Sequence, residues 1–188
     1  ELEDGLPVLR GGVDLRPYAL ADTHLGIART AVKKPLERYL RPKLLVVKST
    51  ERLQAALDTR GHAVLQTLYL LHPHACADQP EICYFLLALL NSRLLSAYVY
   101  HLYTAYKLVQ PQIEQGVLAR LPIAWGSANE RRELAERARL LVHACSQADP
   151  EVEWNEQINA LYEEQEQAVR ALYARATSGI FADKGVRF

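Results

Sequence analysis

The apolar residues of this chain change their spacing between its two halves, and that change limits the folds available to it. Residues 43–49 form a compact apolar run that is bounded by Pro42 and contains two β-branched residues, which is typical of a buried strand. From residue 81 to 103 the apolar side chains recur every three or four residues, which predicts a long helix. We therefore expect an α/β (α+β) fold with a small mixed β-sheet core, a long helix and a C-terminal antiparallel helix pair.

A turn signal follows the predicted strand. The segment from Asp58 to Gly61 has the composition of a turn in which Gly61 adopts a positive φ. The next apolar run, residues 63–71, is the predicted partner strand of a hairpin. Such a hairpin would present four polar residues near its strands or loops: Lys48, Arg52, Arg60 and His62.

Two helices are predicted near the C-terminus. Ser127 and Glu130 have capping-box spacing, and the helix that they begin should extend to about Ala144. The pair Asp149–Pro150 is a second start signal, and Gly179 is placed to end that second helix. One face of the second helix would carry Ile158, Leu161, Tyr162, Gln165, Val169 and Leu172. Consecutive amphipathic helices joined by a short linker predict an antiparallel pair.

Positive charge is concentrated in one segment. Residues 29–60 hold nine Lys or Arg and three acids, a net charge of +6, although the whole chain of 188 residues has a net charge of zero. The zero total excludes a uniformly basic DNA-coating protein, whereas the local cluster suits a surface that faces phosphates. The alternative is a solvated face whose acids lie elsewhere in space.

Cysteine use and hydropathy bear on the compartment. The three cysteines are scattered, which argues against a secreted disulfide scaffold and favours a cytoplasmic protein. No apolar run approaches the roughly 20 residues that span a bilayer, so we expect no membrane partner. Because the chain begins at Glu1 and contains no methionine, we expect a piece of a longer polypeptide.

Motifs for catalysis and metal binding are missing from the sequence. It contains no glycine-rich phosphate loop, no GxSxG elbow, no HExxH, and no Asp- or Asn-Pro-Pro-aromatic motif of amino-methylating enzymes. A zinc site at His72, His74, Cys76 and Cys83 would lack CxxC spacing. His143 and Cys145 are more easily explained by packing or exposure than as a nucleophile pair. We therefore expect no catalytic residues and no metal or cofactor in this chain.

Four blocks, in order and with matching spacing, resemble a known family. They are residues 8–18 (VLRGGVDLRPY), residues 41–48 (RPKLLVVK) with 56–61 (ALDTRG), residues 84–94 (YFLLALLNSRL), and residues 117–123 (VLARLPI). Together they are similar to the TaqI-like C-terminal specificity domain, the target-recognition domain of N6-adenine DNA methyltransferases and of type IIG (Eco57I-like) restriction-modification enzymes. The resemblance covers roughly residues 8–123.

The resemblance implies a division of labour with another domain. A specificity domain of this kind clamps double-stranded DNA and reads base edges, while a catalytic methyltransferase domain of the same parent chain flips out the target adenine and uses S-adenosylmethionine. It implies that residues 1–126 form the target-recognition domain and that residues 127–188 form a helical scaffold or spacer. This chain alone should not methylate DNA, whereas its parent would be an adenine-N6 methyltransferase, with or without an endonuclease.

Base-reading residues vary within such families, so we chose candidates by chemistry and position. Arg and Lys match guanine, whereas Asn and Gln match adenine. The candidates around the predicted hairpin and on the loop after the long helix are Lys48, Ser49, Thr50, Arg52, Arg60, His62, Tyr106, Lys107, Gln110 and Gln112. Each has the alternative interpretation of a solvated polar group. Asn91, inside an apolar helix, is predicted to be structural, with its side chain hydrogen-bonded to a neighbouring loop.

Two other functions stay open on the sequence alone. The chain could be a protein–protein docking module that uses the C-terminal helix pair, in which case the basic segment is incidental. It could also be a small independent enzyme, which the missing catalytic motifs disfavour. The helix pair bears on where DNA would lie, because residues 128–176 carry ten acids and six bases, a net charge of −4. That charge predicts a helix pair that faces away from the duplex.

Overall fold

The computed structural model describes residues 5–73, 79–104, 112–148 and 154–182. The strands are β1 (Gly5–Leu9), β2 (Leu15–Arg16), β3 (Ala19–Leu20), β4 (Gly26–Ala28), β5 (Lys43–Val47), β6 (Ala55–Asp58), β7 (Ala63–Val64) and β8 (Leu68–Leu71). The helices are α1 (Glu37–Leu40), α2 (Pro80–Leu90), α3 (Arg93–Val99), α4 (Gln115–Leu118), α5 (Ala128–Gln147) and α6 (Glu156–Ala182). Small sheets and helices together confirm the predicted mixed α/β class.

Strand β5 is the centre of the main sheet, which has the order β6–β5–β8 and is antiparallel throughout. All five residues of β5 are buried, which explains its continuous apolar sequence. A second sheet, β4–β1–β7, pairs β1 antiparallel with β4 and parallel with β7. The short hairpin β2–β3 completes the strands of the described residues.

The predicted hairpin is correct only in part, because Leu68–Leu71 does pair antiparallel with β5 but is not the next strand in the chain. Residues 63–71 do not form one strand, because Ala63–Val64 pairs with β1 before the chain crosses to β5 as Leu68–Leu71. The strand that follows β5 in the chain is β6, so the loop of the real hairpin is the segment between Val47 and Ala55. The turn before Gly61 does form, and Gly61 has a φ of 86° as expected.

The predicted single helix over residues 81–103 is broken at Asn91 and Ser92. Helices α2 and α3 meet at an angle of 60°, and the Ser92 hydroxyl caps α3 by accepting a hydrogen bond from the amide of Leu95 at 3.2 Å. The Asn91 side chain accepts from the amide of Ala55 at 2.8 Å and donates to the carbonyl of Ala55 at 3.0 Å. Its predicted structural role is confirmed, with the backbone of β6 as the partner.

The length and hydropathy of the helices bear on whether any of them could span a membrane. Within the described residues, no single helix is both long and apolar enough to cross a membrane. The bent pair Pro80–Leu90 and Arg93–Tyr103 passes that test of length and composition as a unit. In this fold seven of the eleven residues of α2 are buried in the protein.

The C-terminal helices form the predicted antiparallel pair. Helix α5 begins with the capping box of Ser127 and Glu130. Arg175, late in α6, pairs with Glu130 at the start of α5 at 2.6 Å, and Arg137 pairs with Glu164 at 3.1 Å. These pairs show that the two helices run antiparallel. Helix α6 begins later than predicted, at Glu156. Its first turn is capped by the Asn155 side chain, which accepts from the amide of Ile158 at 2.9 Å.

Two other predictions concern the ends of this second helix. Asp149 and Pro150, which were expected to begin it, lie outside the described residues. Gly179 lies within α6 and does not end it.

One hydrophobic core joins the sheet to the helix pair. Leu44 and Val46 of the sheet, Phe85 of α2, Leu134 of α5 and Val169 of α6 belong to the same buried cluster. Five apolar residues of the helix pair lie in or against this cluster: Leu134, Leu141, Ile158, Leu161 and Leu172. The helix pair therefore packs against α2 and shares its core with the main sheet.

Candidate functional site

One residue from each of the two nominated polar segments, Ser49 and Gln112, meet where β5 ends. Ser49 forms an antiparallel β-bridge with Gln112, and the carbonyl of Lys48 accepts a hydrogen bond from the amide of Ile113 at 2.8 Å. Ser49 and Gln112 are exposed. The other nominated residues of the second segment, Tyr106, Lys107 and Gln110, lie outside the described residues. The structure thus places the β5–β6 loop beside the chain that returns from the long helix.

Neighbouring contacts fix the shape of this loop. The ammonium of Lys48 lies 4.5 Å from the centroid of the Tyr69 ring, a cation–π contact that leaves the charge at the surface. The Thr50 hydroxyl donates to the carbonyl of Arg52 at 2.8 Å and closes a local turn. The Arg52 side chain is exposed and points away from the core formed by Leu53.

A third loop joins this end of the sheet, and sequence reasoning missed it. The amide of Lys48 donates to the carbonyl of Thr67 at 3.0 Å, so residues 65–67 lie beside the β5–β6 loop. Gln66 and Thr67 are exposed there. We call residues 48–52, 65–67 and 112 the loop edge. The available signal was the break in the apolar pattern at Gln66–Thr67, which the single-strand interpretation of residues 63–71 ignored.

Gly11 packs against the part of the loop edge formed by residues 65–67. Its amide donates to the Thr67 hydroxyl at 2.8 Å, and a Cβ added to it would lie 2.6 Å from the carbonyl oxygen of Thr67. A non-bonded carbon that close to a backbone oxygen is a steric clash. Only glycine therefore allows the chain after β1 to pack against residues 65–67.

Replacing Gly11 with alanine is expected to destabilise the protein by about 1–3 kcal/mol, because the added methyl group must push the backbone of Thr67 away. Gly116→Ala is the matched control, since a Cβ at that position meets nothing within 4 Å and alanine favours the helix α4. Chemical denaturation of both variants measures the difference. Equal free energies of unfolding for the two would contradict the proposed close contact.

The opposite end of β5 contains a buried ionic network. The Lys43 ammonium lies 2.5 Å from the Asp58 carboxylate, and both side chains are fully buried. Asp58 also accepts from His62 Nδ1 at 2.8 Å and from the amides of Arg60, Gly61 and His62 at 2.9–3.1 Å. Burial alone would raise the pKa of Asp58, but the hydrogen bonds from His62 and Lys43 hold it well below its usual range.

This network changes the interpretation of two candidate residues. His62 is 3% exposed and its ring is held against Asp58, so it is part of the turn and presents no surface to a ligand. Arg60 is exposed and forms an ion pair with Asp22 at 2.8 Å. Because β5 and β6 are antiparallel, Arg60 lies at the opposite end of β5 from Lys48. The five residues of β5 separate the two ends by about 16 Å. The seven candidates that the structure describes therefore do not form one surface.

The remaining cations of the basic segment gather at that far end. The Lys43 ammonium donates to the carbonyl of Tyr39, which ties α1 to the buried network. Around α1, the exposed cations are Lys33, Lys34, Arg38 and Arg41. Burial together with the charges of Arg41 and Arg38 lowers the pKa of His72, as expected for a strongly positive environment.

A cleft of about 650 Å³ opens beside the loop edge, between the β2–β3 hairpin, the β5–β6 loop, α3 and the start of α6. Three arginines line it: Arg16, Arg52 and Arg93. We call it the arginine cleft. Trp154 and Tyr162 also line it, and their ring centroids are 5.1 Å apart.

Catalytic or metal chemistry has little support in the described part of the chain. No group of three or more His, Cys, Asp or Glu residues is placed to hold a metal ion there. Burial raises the pKa of Cys145 to about 11, so its thiol is protonated at neutral pH and is a poor nucleophile. His74 and Cys76, which were considered as zinc ligands, lie outside the described residues.

The family model of the TaqI-like C-terminal specificity domain matches residues 6–123, which is more than half of the chain. The chain belongs to this family, whose members are the DNA-specificity domains of methyltransferase-type enzymes and serve target recognition in restriction-modification. The match begins in β1 and ends just before α5, so the helix pair lies outside it. No curated protein matched the chain.

Proposed function

We propose that this chain binds double-stranded DNA and reads base edges at the loop edge on behalf of an adenine-N6 methyltransferase. The observation that carries the proposal is the bridge between Ser49 and Gln112, which joins the two polar segments nominated for base reading. The family match supports it independently, because it covers both segments.

The chemistry of the loop edge suits base recognition. Lysine and arginine donate to guanine O6 and N7, and a glutamine amide pairs with adenine N6 and N7. Lys48, Arg52, Gln66 and Gln112 offer those groups within one set of loops. Because the loops are braced by β5, Gly11 and the hydrogen bond between Ile113 and Lys48, their side chains start from a defined position.

The catalytic step belongs to another domain in this proposal. The sequence lacks the Asp- or Asn-Pro-Pro-aromatic motif for a target nitrogen and has no glycine-rich nucleotide loop. We therefore assign adenine flipping, methyl transfer and the binding of S-adenosylmethionine to the methyltransferase domain of the parent chain, in a restriction-modification setting. The function of this chain is to hold the duplex in the correct register.

Fluorescence anisotropy with labelled duplex DNA tests the proposal. We expect weak binding by this chain at low salt, with log K falling against log salt at a slope of about −2 or steeper if Lys48 and Arg52 each neutralise a phosphate or displace a counterion. We also expect a much stronger sequence preference when the methyltransferase domain is present, because it supplies the other half of the clamp. Failure of both proteins to bind DNA at low salt would refute the proposed function.

A further inference from the structure

The arginine cleft and the loop edge have one residue in common, Arg52. The other residues that line the cleft do not belong to the loop edge. Arg16 comes from β2, Arg93 from the first turn of α3, and Trp154 and Tyr162 from the start of the helix pair. Trp154 and Tyr162 lie outside the residues that the family model matches. Its volume of about 650 Å³ is within the range of about 300–1,000 Å³ that is usual for small-molecule sites.

The charge of the cleft is positive and largely uncompensated. Among the described residues that line it, none is Asp or Glu. Arg93 is already engaged, since its guanidinium pairs with Glu163 at 2.5 Å and lies 5.1 Å from the centroid of the Tyr162 ring. Arg16 and Arg52 are both exposed and have no ion pair within the described part of the chain. Two exposed arginines that line one cleft, with no carboxylate among its described lining residues, favour an anion, above all a phosphate.

The aromatic residues that line the cleft suit a planar group. Trp154 is half-buried. Its ring contacts those of Tyr162 and Tyr18, with centroid distances of 5.1 Å and 6.3 Å. The hydroxyl of Tyr162 donates to the carbonyl of Asn91 at 2.8 Å, which fixes the Tyr162 ring. An indole that lines a polar cleft and is packed against two neighbouring rings is a suitable platform for a nucleobase.

Polar groups lie between the charged and aromatic sides. The side chains of Gln54 and Asn159 line the cleft and offer amide donors and acceptors. The Asn159 amide donates to the carbonyl of Trp154 at 2.9 Å and so holds the residue that carries the indole. The cleft therefore combines phosphate-binding, base-stacking and hydrogen-bonding groups in one volume.

We propose that the arginine cleft binds a nucleotide, with its phosphate between Arg16 and Arg52 and its base against Trp154. The nucleotide is either free or part of a DNA strand that leaves the loop edge at Arg52. The proposal goes beyond base reading by the loop edge, because it assigns a second site with its own ligand. It does not require that the loop edge bind duplex DNA.

Trp154 itself reports on occupancy. The chain has two tryptophans, so a Trp125→Phe background leaves Trp154 as the sole indole. Trp125 lies on the far side of α2, against Phe85, and does not line the cleft. In this background the full chain is titrated with adenosine monophosphate, adenosine, and a short single-stranded oligonucleotide, and Trp154 emission is recorded.

We expect saturable quenching by adenosine monophosphate or by the oligonucleotide, and binding of adenosine at least about tenfold weaker because it lacks the phosphate. Arg16→Gln with Arg52→Gln should raise the Kd for the nucleotide by about tenfold or more. The matched control is Arg38→Gln with Arg60→Gln, two exposed arginines at the far end of β5, and it should leave the Kd unchanged.

The pattern of ligands then identifies the source of the nucleotide. Tighter binding of the mononucleotide indicates a free ligand, and tighter binding of the oligonucleotide indicates a strand. No saturable quenching at millimolar concentrations, equal binding of adenosine, or equal losses in the cleft and control variants would each overturn the proposal. Duplex binding by the unmodified chain is measured separately by anisotropy, so failure of the cleft and failure of the proposed function are distinguishable.

Discussion

Replacing Asp58 with alanine is expected to lower the free energy of unfolding by about 3–5 kcal/mol, which is a large part of the stability of an ordinary domain. The substitution leaves the Lys43 ammonium buried with no carboxylate, and it removes the acceptor for His62 and for three backbone amides. Urea denaturation followed by circular dichroism measures the loss. Its size depends on burial, because an exposed ion pair contributes about 0–1 kcal/mol.

Two further variants separate the network from a general effect of charge. Asp22→Ala breaks the exposed ion pair with Arg60 and should change the stability by less than about 1 kcal/mol. Lys43→Met combined with Asp58→Ala should recover part of the loss, because the uncompensated buried charge is gone. If Asp58→Ala were as mild as Asp22→Ala, the buried network would not be a major source of stability.

The same carboxylate predicts how stability responds to acid. The folded state lowers the pKa of Asp58 from its ordinary value of 3.8, so the unfolded chain binds its proton first as the pH falls. The contribution of Asp58 is therefore fully present above about pH 4 and is lost progressively below it. Because Asp58 also anchors the turn that supports α1, the basic surface around α1 should lose its structure in the same acidic range.

Local signals account for the parts of the fold that were predicted correctly. The apolar run of β5, the capping box of Ser127 and Glu130, and the positive φ of Gly61 each depend on a few neighbouring residues. The buried face of α6 follows from helical periodicity alone. These features need no knowledge of distant segments.

The errors arise where a distant segment decides the local structure. Asn91 and Ser92 interrupt an apolar helical pattern, and the break forms because Asn91 pairs with the backbone of Ala55 while Ser92 caps a new helix. Residues 63–71 divide into two strands because β1 and β5 each recruit one part of them. Neither partner can be identified from the spacing of the segment itself.

The candidate site shows the same division. Lys48 and Arg52 follow the end of a strand in the sequence, and in the structure Arg52 is exposed and Lys48 half-buried in the loop whose Ser49 pairs with Gln112. Arg60 and His62 share the end of Lys48 only in a hairpin that runs directly from β5 to residues 63–71, without strand β6 between them. The antiparallel register of β5 with β6 places them at the other end. The residue types in the sequence therefore indicate which side chains could contact DNA, whereas strand pairing determines which of them share a surface.

Charge reversal at the loop edge should have the largest effect on DNA binding. Lys48→Glu with Arg52→Glu is expected to reduce the affinity for duplex DNA by about 100-fold or more at low salt, because two cations are lost and two anions take their places. Anisotropy at several salt concentrations measures both the affinity and a salt dependence that should become shallower. Thermal stability should fall only slightly, since Arg52 is exposed and Lys48 loses a surface contact with Tyr69 of about 0.5–1 kcal/mol.

The acidic helix pair provides the matched control. Arg132→Glu with Arg170→Glu makes the same change in net charge at two exposed positions of α5 and α6, a surface expected to face away from the duplex. This variant should therefore bind DNA nearly as well as the unmodified chain. Equal losses in both variants would indicate that net charge alone governs binding, and unchanged affinity after reversal of Lys48 and Arg52 would place the DNA-binding surface elsewhere. If the loop edge binds DNA and the helix pair faces away from it, only the loop-edge variant should lose affinity for duplex DNA.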